Sequence, residues 1–229
     1  MKGMIGIIMK RLISVLLALA CVFSLFSCTS RDVKNVAELV NGSVPTKIVT
    51  LTTHDDGEEK FNGRYETRIE GNNSVYTYEY QRYQTVADGA EIGNTDFIET
   101  VKGTVYYKDG LFCADGVNWI SQLPDIGAMK MKFNVEAKHL KKPQFSDDKK
   151  VLTATVSAKN IEKMFGVAIN ADENGATVEI EHDGIYVRKI TISYTQLLDE
   201  TGENTLAVTI QTSFSYAPED IVFPGETVE

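Results

Sequence analysis

The feature that most constrains the fold is an alternation of apolar and polar residues that recurs along much of the chain. Its longest example covers residues 205–216, where one face carries Leu206, Val208, Ile210, Phe214 and Tyr216. Successive side chains of a β-strand point to opposite faces, so this pattern predicts strands with one buried and one solvated face. In the first strand Val49 and Leu51 share a face. On the same grounds strands are predicted at residues 47–53, 61–69, 74–86, 97–102, 104–107, 151–157, 176–181 and 186–194.

Helical patterns are few and short. Apolar residues at helical spacing predict helices at residues 33–40 and 158–165, each followed by glycine. One more helical turn is predicted near Ile126. Residues 133–140 fit a strand or a helix, and we favour a strand. Residues 144–149, after Pro143, predict a polar turn.

The fold class follows from the small number of helices. An apolar sheet face must be covered, and three short helical segments cover only part of a sheet of about nine or ten strands. Either the sheet closes on itself around a dry core, or it curls into a trough that stays open for an apolar ligand. The sequence therefore predicts a mainly β chain (α+β by a strict count). Its large curved antiparallel sheet would form a half-barrel with two or three short helices on the concave face.

The N-terminal segment has the pattern of an export signal. Lys10 and Arg11 precede an apolar stretch at residues 12–26, then Ser27 and Cys28. Its apolar stretch is shorter than the roughly 20 residues that a transmembrane helix needs. The stretch Leu25-Phe26-Ser27-Cys28 resembles the lipobox of bacterial lipoproteins, and this resemblance implies cleavage before Cys28 and acylation there. A plain signal peptide cut near Ala18-Leu19-Ala20 is the alternative, and either Met1 or Met9 is the initiator.

Charge and cysteine content narrow the function classes. The whole chain has 23 basic and 32 acidic residues, and removal of the signal takes three of the basic ones. A strongly acidic remainder disfavours binding to nucleic acid and lying flat on anionic lipid. Cys21 lies within the signal and Cys28 is the acylation candidate. Cys113 then has no intramolecular disulfide partner, and a lone cysteine is most often simply buried.

No catalytic or metal-binding motif is present in the sequence. It lacks the spacings of nucleophile elbows, zinc sites, phosphate-binding loops and EF-hands. His54, His139 and His182 are far apart along the chain, and the acidic clusters are typical of solvated hairpin ends. We therefore predict a protein that is not an enzyme and that has no metal and no cofactor.

A family resemblance follows from the lipobox, the short leading helix and the long one-sided sheet. Together with the final stretch Ser213-Phe214-Ser215-Tyr216 before Ile221-Val222-Phe223-Pro224, these features look like the LolA and LppX/LprG superfamily of lipid and lipoprotein carriers. That resemblance implies a half-barrel whose concave face holds acyl chains. The apolar faces then supply the candidate lining residues, with Trp119 near a rim: Phe61, Tyr65, Ile69, Tyr76, Tyr78, Tyr80, Trp119, Ile190, Ile192, Val208, Ile210 and Phe214.

The predicted organisation is a signal peptide at residues 1–27, a lipidated tether with a short helix at 28–45, and one β domain at 46–229. The predicted function is a membrane-anchored, extracytoplasmic lipoprotein that binds or transfers a lipid or another amphiphile. Its partners would be that ligand and, through Cys28, a bacterial membrane. The alternative is a closed β module that scaffolds an envelope complex. The tyrosine row also fits a surface for partners or sugars.

Overall fold

A computed structural model describes residues 30–55, 59–84, 96–122, 131–197, 205–218 and 220–225. Within these ranges, ten strands form one antiparallel sheet that does not close. Their bounds are β1 Lys47–Asp55, β2 Glu59–Glu70, β3 Asn73–Gln84, β4 Asp96–Lys108, β5 Leu111–Cys113, β6 Lys141–Phe145, β7 Val151–Val156, β8 Ala171–His182, β9 Val187–Leu197 and β10 Thr205–Ser215. The prediction of a mainly β chain with one large antiparallel sheet is confirmed.

The order of the strands divides the sheet into two halves. It runs β5-β4-β3-β2-β1-β10-β9-β8-β7-β6, so the first and last strands of the chain meet at the centre. Each half is a meander of neighbouring strands, and the pairing of β1 with β10 is the seam between them. We call the halves the N-terminal half (β1–β5) and the C-terminal half (β6–β10).

Two α-helices are found among the described residues. Helix α1 covers residues 30–42 and buries one side, formed by Val33, Val36, Ala37 and Val40. Helix α2, Ala158–Phe165, buries Ile161, Met164 and Phe165 and ends at Gly166, whose φ of 74° is left-handed. Both helices match the predicted positions, because apolar spacing and a terminal glycine are sufficient signals.

The main core lies on one face of the C-terminal half. Leu152, Ala154 and Val156 of β7 are buried, and so are the alternating residues of β8, β9 and β10. The buried sides of α1 and α2 belong to the same cluster. We call this face of the whole sheet the inner face. Residues of α1 are thus part of the domain core.

A second, smaller cluster lies on the outer face of the N-terminal half. The chain leaves β10 and buries Ile221 and Phe223 against Val75 of β3. Tyr106 and Trp119 pack against the same cluster. The C-terminal segment therefore contributes apolar side chains to the back of the sheet.

The structure overturns the prediction of a strand at residues 133–140. This segment is irregular, with one 3₁₀ turn at Ala137–His139. Its backbone finds partners outside the sheet: the Asn134 amide donates to the Met164 carbonyl, at 2.8 Å. The Asn41 side chain accepts from the Val135 N–H at 2.7 Å and donates to its carbonyl at 2.8 Å. Paired in this way, the segment has no need of a neighbouring strand.

Two other local predictions were also wrong. Pro143 lies within edge strand β6, where the N–H that it lacks is not needed. Strand β4 continues through Gly103 instead of breaking there. In β1, Val49 and Leu51 share a face as predicted, and the buried residues on the opposite face are Thr50 and Thr52. Cys28, the turn near Ile126 and the acidic loop 199–204 lie outside the described residues.

Candidate functional site

The two halves of the inner face are packed differently. On the C-terminal half, Ile190, Ile192 and Ile210 are each at most 1% exposed. On the N-terminal half, the same face carries a row of tyrosines that are only half-buried: Tyr65, Tyr76, Tyr78 and Tyr80. These tyrosines belong to neither cluster of buried residues. The partly exposed aromatic face is the candidate site.

The strand register brings the tyrosines together. Tyr65 of β2 lies opposite Tyr78 of β3, Thr67 opposite Tyr76, and Gly63 opposite Tyr80. The ring centroids of Tyr65 and Tyr80 are 6.2 Å apart, and those of Tyr78 and Tyr80 are 6.1 Å apart. These separations fall within the range of favourable aromatic pairs. The rings therefore form one continuous surface.

Two glycines let tyrosine rings lie flat on the sheet. A Cβ at Gly63 would be 2.7 Å from the Tyr65 hydroxyl, and one at Gly103 would be 2.7 Å from Tyr78 Cζ. Real Cβ atoms do not approach so closely, so the rings occupy the space that a side chain at these positions would take. The result is a floor made of aromatic faces.

A hollow of about 460 Å³ opens at one end of this floor, next to the main core. Its volume lies within the usual range of small-molecule sites, about 300–1,000 Å³. Apolar side chains dominate its wall, and a few hydroxyl and amide groups lie among them. The lining residues are Ile48, Thr50, Tyr65, Thr67, Ile69, Asn72, Asn73, Ser74, Tyr76, Tyr107, Phe112 and Met131.

The pKa values of two phenols in the site, those of Tyr65 and Tyr76, lie above the ordinary value. Burial, helped by the neighbouring Tyr80, raises the pKa of Tyr65 to about 12. Burial and the surrounding tyrosines also raise the pKa of Tyr76. Both phenols are therefore uncharged at neutral pH, with hydroxyl groups able to donate hydrogen bonds. Such a surface suits a ligand that is largely apolar and carries some polar atoms.

The predicted lining residues fall into separate groups. Tyr65, Ile69 and Tyr76 line the hollow, while Tyr78 and Tyr80 extend its floor. Four others are buried at 2% exposure or less in the main core, under the helices: Ile190, Ile192, Val208 and Ile210. Phe214 lies at the edge of that core, with its ring 5.1 Å from Phe133. The side chain of Phe61 lies outside the described residues.

Trp119 lies on the other side of the sheet. Its ring centroid is 6.4 Å from that of Phe223, within the outer cluster. It is therefore remote from the inner face, because the chain after β5 turns towards the C-terminal segment.

Several lining residues were missed from the sequence. Tyr107 and Phe112 face each other across the β4–β5 hairpin, with ring centroids 5.0 Å apart. Continuing the two-residue alternation across that turn would have found them. Met131 carries no such signal, since it lies in an irregular segment.

The buried cysteine and the metal-ligating side chains of the described residues do not come together. Cys113 is fully buried, and its thiol lies 3.7 Å from the Asp115 carboxylate. Across the described ranges, no group of three or more metal-ligating side chains comes together. Within the same ranges, every helix is too short or too polar to cross a bilayer.

Comparison with known proteins gives a likeness among solved structures only. No protein-family model matches the chain, and no curated protein matches it. Among solved structures it is similar to the crystal structure of LprF from Mycobacterium bovis, at 11% identity and a TM-score of 0.44. The match covers 86% of this chain and 96% of that one.

Proposed function

We propose that this chain is an extracytoplasmic lipoprotein, anchored by an acyl group at Cys28, that binds an amphiphile on the N-terminal half of the inner face. Residues 1–27 serve as the signal peptide. The bound molecule places its apolar part on the tyrosine floor and in the hollow beside Ile48 and Ile69. No chemical step is part of this function.

The observation that carries the proposal is the contrast between the two halves of one continuous face. Thr50 of β1 is paired with Thr212 of the C-terminal half, where the face is closed, and with Tyr65 of the N-terminal half, where the face is partly exposed. The register therefore carries one row of side chains from a closed core directly into the hollow. Burial of each methylene of a ligand on this floor contributes about 0.8 kcal/mol, so a chain of several methylenes binds appreciably.

The test is native mass spectrometry of the chain from residue 28 onward, followed by extraction of bound molecules, and titration with a fluorescent fatty-acid analogue. We expect co-purified lipid or saturable binding of the analogue. Thr67→Trp is the informative variant, because Thr67 lines the hollow and is paired with two other lining residues, Ile48 and Tyr76. Thr67→Trp should weaken binding at least tenfold.

Thr177→Trp provides the matched control. Thr177 is exposed on the outer face of β8, opposite Ser193 of β9. The same substitution there adds the same side chain without entering the hollow, and we expect binding to change less than twofold. An empty protein that also fails to bind the analogue, or equal binding by the two variants, would refute the proposal. A partner protein recovered by cross-linking to an empty chain would favour the scaffold alternative.

The anchor is tested separately by metabolic labelling of the full-length protein with a clickable palmitate analogue in a bacterial host. We expect the label on the wild-type chain and none on Cys28→Ser. Cys113→Ser should keep the label, because Cys113 is fully buried. A labelled Cys28→Ser variant, or an unlabelled wild type, would contradict acylation at Cys28.

A further inference from the structure

We propose that a lysine-rich surface beside the start of α1 binds anionic lipid headgroups and orients the domain on its membrane. This inference rests on the proposed anchoring of the chain to a membrane. The basic surface, as we call it, consists of Lys34, Lys138, Lys141, Lys142 and Lys149. The partner is an anionic lipid surface.

Three separate parts of the chain bring these lysines together. The start of α1 and residues 137–143 form one groove, lined by Ser30, Val33, Lys34, Ala137, Lys138, Leu140 and Pro143. Lys141 and Lys142 immediately precede the groove residue Pro143. Lys149, from the β6–β7 turn, reaches the same place, with its Nζ 2.9 Å from the Asp32 carboxylate on α1. The surface is thus a product of the fold.

The sign of this surface is opposite to that of the whole protein. The chain carries a formal charge of −9, yet residues 131–150 hold six lysines and three acidic residues. The side chains of Lys34, Lys138 and Lys149 are between 66% and 70% exposed. The pair of Lys34 with Glu38 is exposed on both sides and therefore weak, whereas the partners of Lys138 and Lys149, Glu136 and Asp32, are only 27% and 31% exposed. Lys141 and Lys142 are themselves exposed, so they are the two lysines best placed to meet a surface of phosphates. The overall acidity that disfavours lying on anionic lipid is an average, which this surface locally reverses.

Protection of the sheet edge accounts for only part of the cluster. Lys141, Lys142 and Pro143 lie on edge strand β6, where charge and proline discourage pairing with another chain. Lys34 lies on a helix, and Lys138 lies in a 3₁₀ turn. Neither is part of an edge, so edge protection does not explain why they are next to the same groove.

The position of the surface agrees with the proposed anchor. Cys28 is two residues before Ser30, and an extended chain covers at most about 3.6 Å per residue. An acyl group on Cys28 would therefore hold the start of α1 at the membrane, with the basic surface beside it. A single acyl chain gives only marginal membrane attachment, and a cluster of basic residues is a recognised second signal.

The size of the effect follows from the charge near the membrane. Each lysine close to an anionic leaflet strengthens binding about fivefold. Removing the charges of Lys141 and Lys142 should then weaken binding about 25-fold. Screening by salt reduces the attraction, since the Debye length is about 8 Å at physiological ionic strength.

The experiment is co-sedimentation of the chain from residue 28 onward, carrying Cys28→Ser so that no acyl group contributes. The vesicles are phosphatidylcholine alone or phosphatidylcholine with phosphatidylglycerol. We expect binding only to the anionic vesicles, weakened by salt, and about 25-fold weaker for Lys141→Gln/Lys142→Gln. The matched control, Arg64→Gln/Lys102→Gln, removes two exposed charges from β2 and β4 of the other half, and its binding should change less than twofold.

Equal losses in the two double variants, or no binding to anionic vesicles, would overturn the inference. Neither result bears on the tyrosine floor, because uptake of an acyl chain there is measured with the fatty-acid analogue and needs no anionic headgroup. Conversely, an empty hollow together with vesicle binding lost only in Lys141→Gln/Lys142→Gln would refute the proposed ligand and leave the basic surface in place.

Discussion

The hydroxyl groups of Thr50 on β1 and Thr212 on β10 lie 3.0 Å apart, in hydrogen-bond contact across the seam between the two halves of the sheet. Thr212 is fully buried and Thr50 is 3% exposed. In the described structure, the two buried hydroxyl groups are hydrogen-bonded to each other. This pair joins the first strand to the last at the boundary between the main core and the hollow.

Thr212→Val should lower the free energy of unfolding by about 1–3 kcal/mol, because the Thr50 hydroxyl would stay buried without its partner. The double variant Thr50→Val/Thr212→Val should recover most of that loss, since valine has nearly the shape of threonine and leaves no polar group unpaired. Urea denaturation of the two single variants and the double variant measures the coupling. Strictly additive losses would show that the hydrogen bond does not contribute.

Much of the fold was predictable because its local signals agree with its global arrangement. In β7 the alternation of Leu152, Ala154 and Val156 gave both the strand and its buried face. In α2 the apolar spacing and Gly166 gave both ends of the helix. The segment around Val135 was not predictable, because its hydrogen bonds go to Asn41 and to the end of α2. Such partners are distant in sequence and leave no periodic pattern.

The candidate site was only partly predictable for a related reason. Alternation tells which face a residue occupies but not what covers that face. Ile192 and Tyr76 therefore looked equivalent, although one is in the closed core and the other lines the hollow. The two described helices pack on the C-terminal half, and alternation along a strand gives no sign of this. The threonines at the seam were also overlooked. Thr50 and Thr52 are polar, so the sequence pattern gives no sign that they are buried.

Gly103→Ala should displace the ring of Tyr78 from the sheet, since the new Cβ would lie 2.7 Å from Tyr78 Cζ. The ring can rotate away, so we expect a loss of only about 1 kcal/mol in the free energy of unfolding, at the low end of the cost of overpacking. The floor would no longer be flat, and binding of the fatty-acid analogue should weaken several-fold. Thermal denaturation and fluorescence titration measure the two effects.

Gly42→Ala is the control for this substitution. Gly42 is the last residue of α1, and a Cβ there would meet nothing within 4 Å. Its stability and ligand binding should remain close to those of the wild type. Equal behaviour of the two alanine variants would mean that Gly103 is not required for the flat ring.

Alkaline pH should destabilise the protein through Tyr65. Its folded pKa of about 12 exceeds the ordinary value of 10.0, so between these values the folded state binds the proton more tightly than the unfolded state. Stability is then fully present below pH 10 and falls as the pH rises towards 12, by about 1 kcal/mol after allowance for partial exposure. The free energy of unfolding, measured by urea denaturation at pH 8, 10 and 11.5, gives the curve.

Tyr65→Phe removes the titrating group and keeps the ring, so its stability should fall less over the same pH range. Parallel curves for Tyr65→Phe and the wild type would contradict the assignment to Tyr65.

Phe223→Ala should release the C-terminal segment from the outer face of the sheet. Phe223 is 4% exposed, and its ring lies 6.1 Å from that of Tyr106 and 5.0 Å from Lys108 Nζ. Loss of a buried phenylalanine costs about 3 kcal/mol. Trp119, the single tryptophan of the chain, contacts the same ring, so its emission should shift to longer wavelength as water reaches it. Val222→Ala is the control. The Val222 side chain, next to Phe223 in the sequence, is 53% exposed, so the emission and the free energy of unfolding should stay near the wild-type values. An unshifted emission maximum in Phe223→Ala, with unchanged stability, would show that the segment does not hold the outer cluster together.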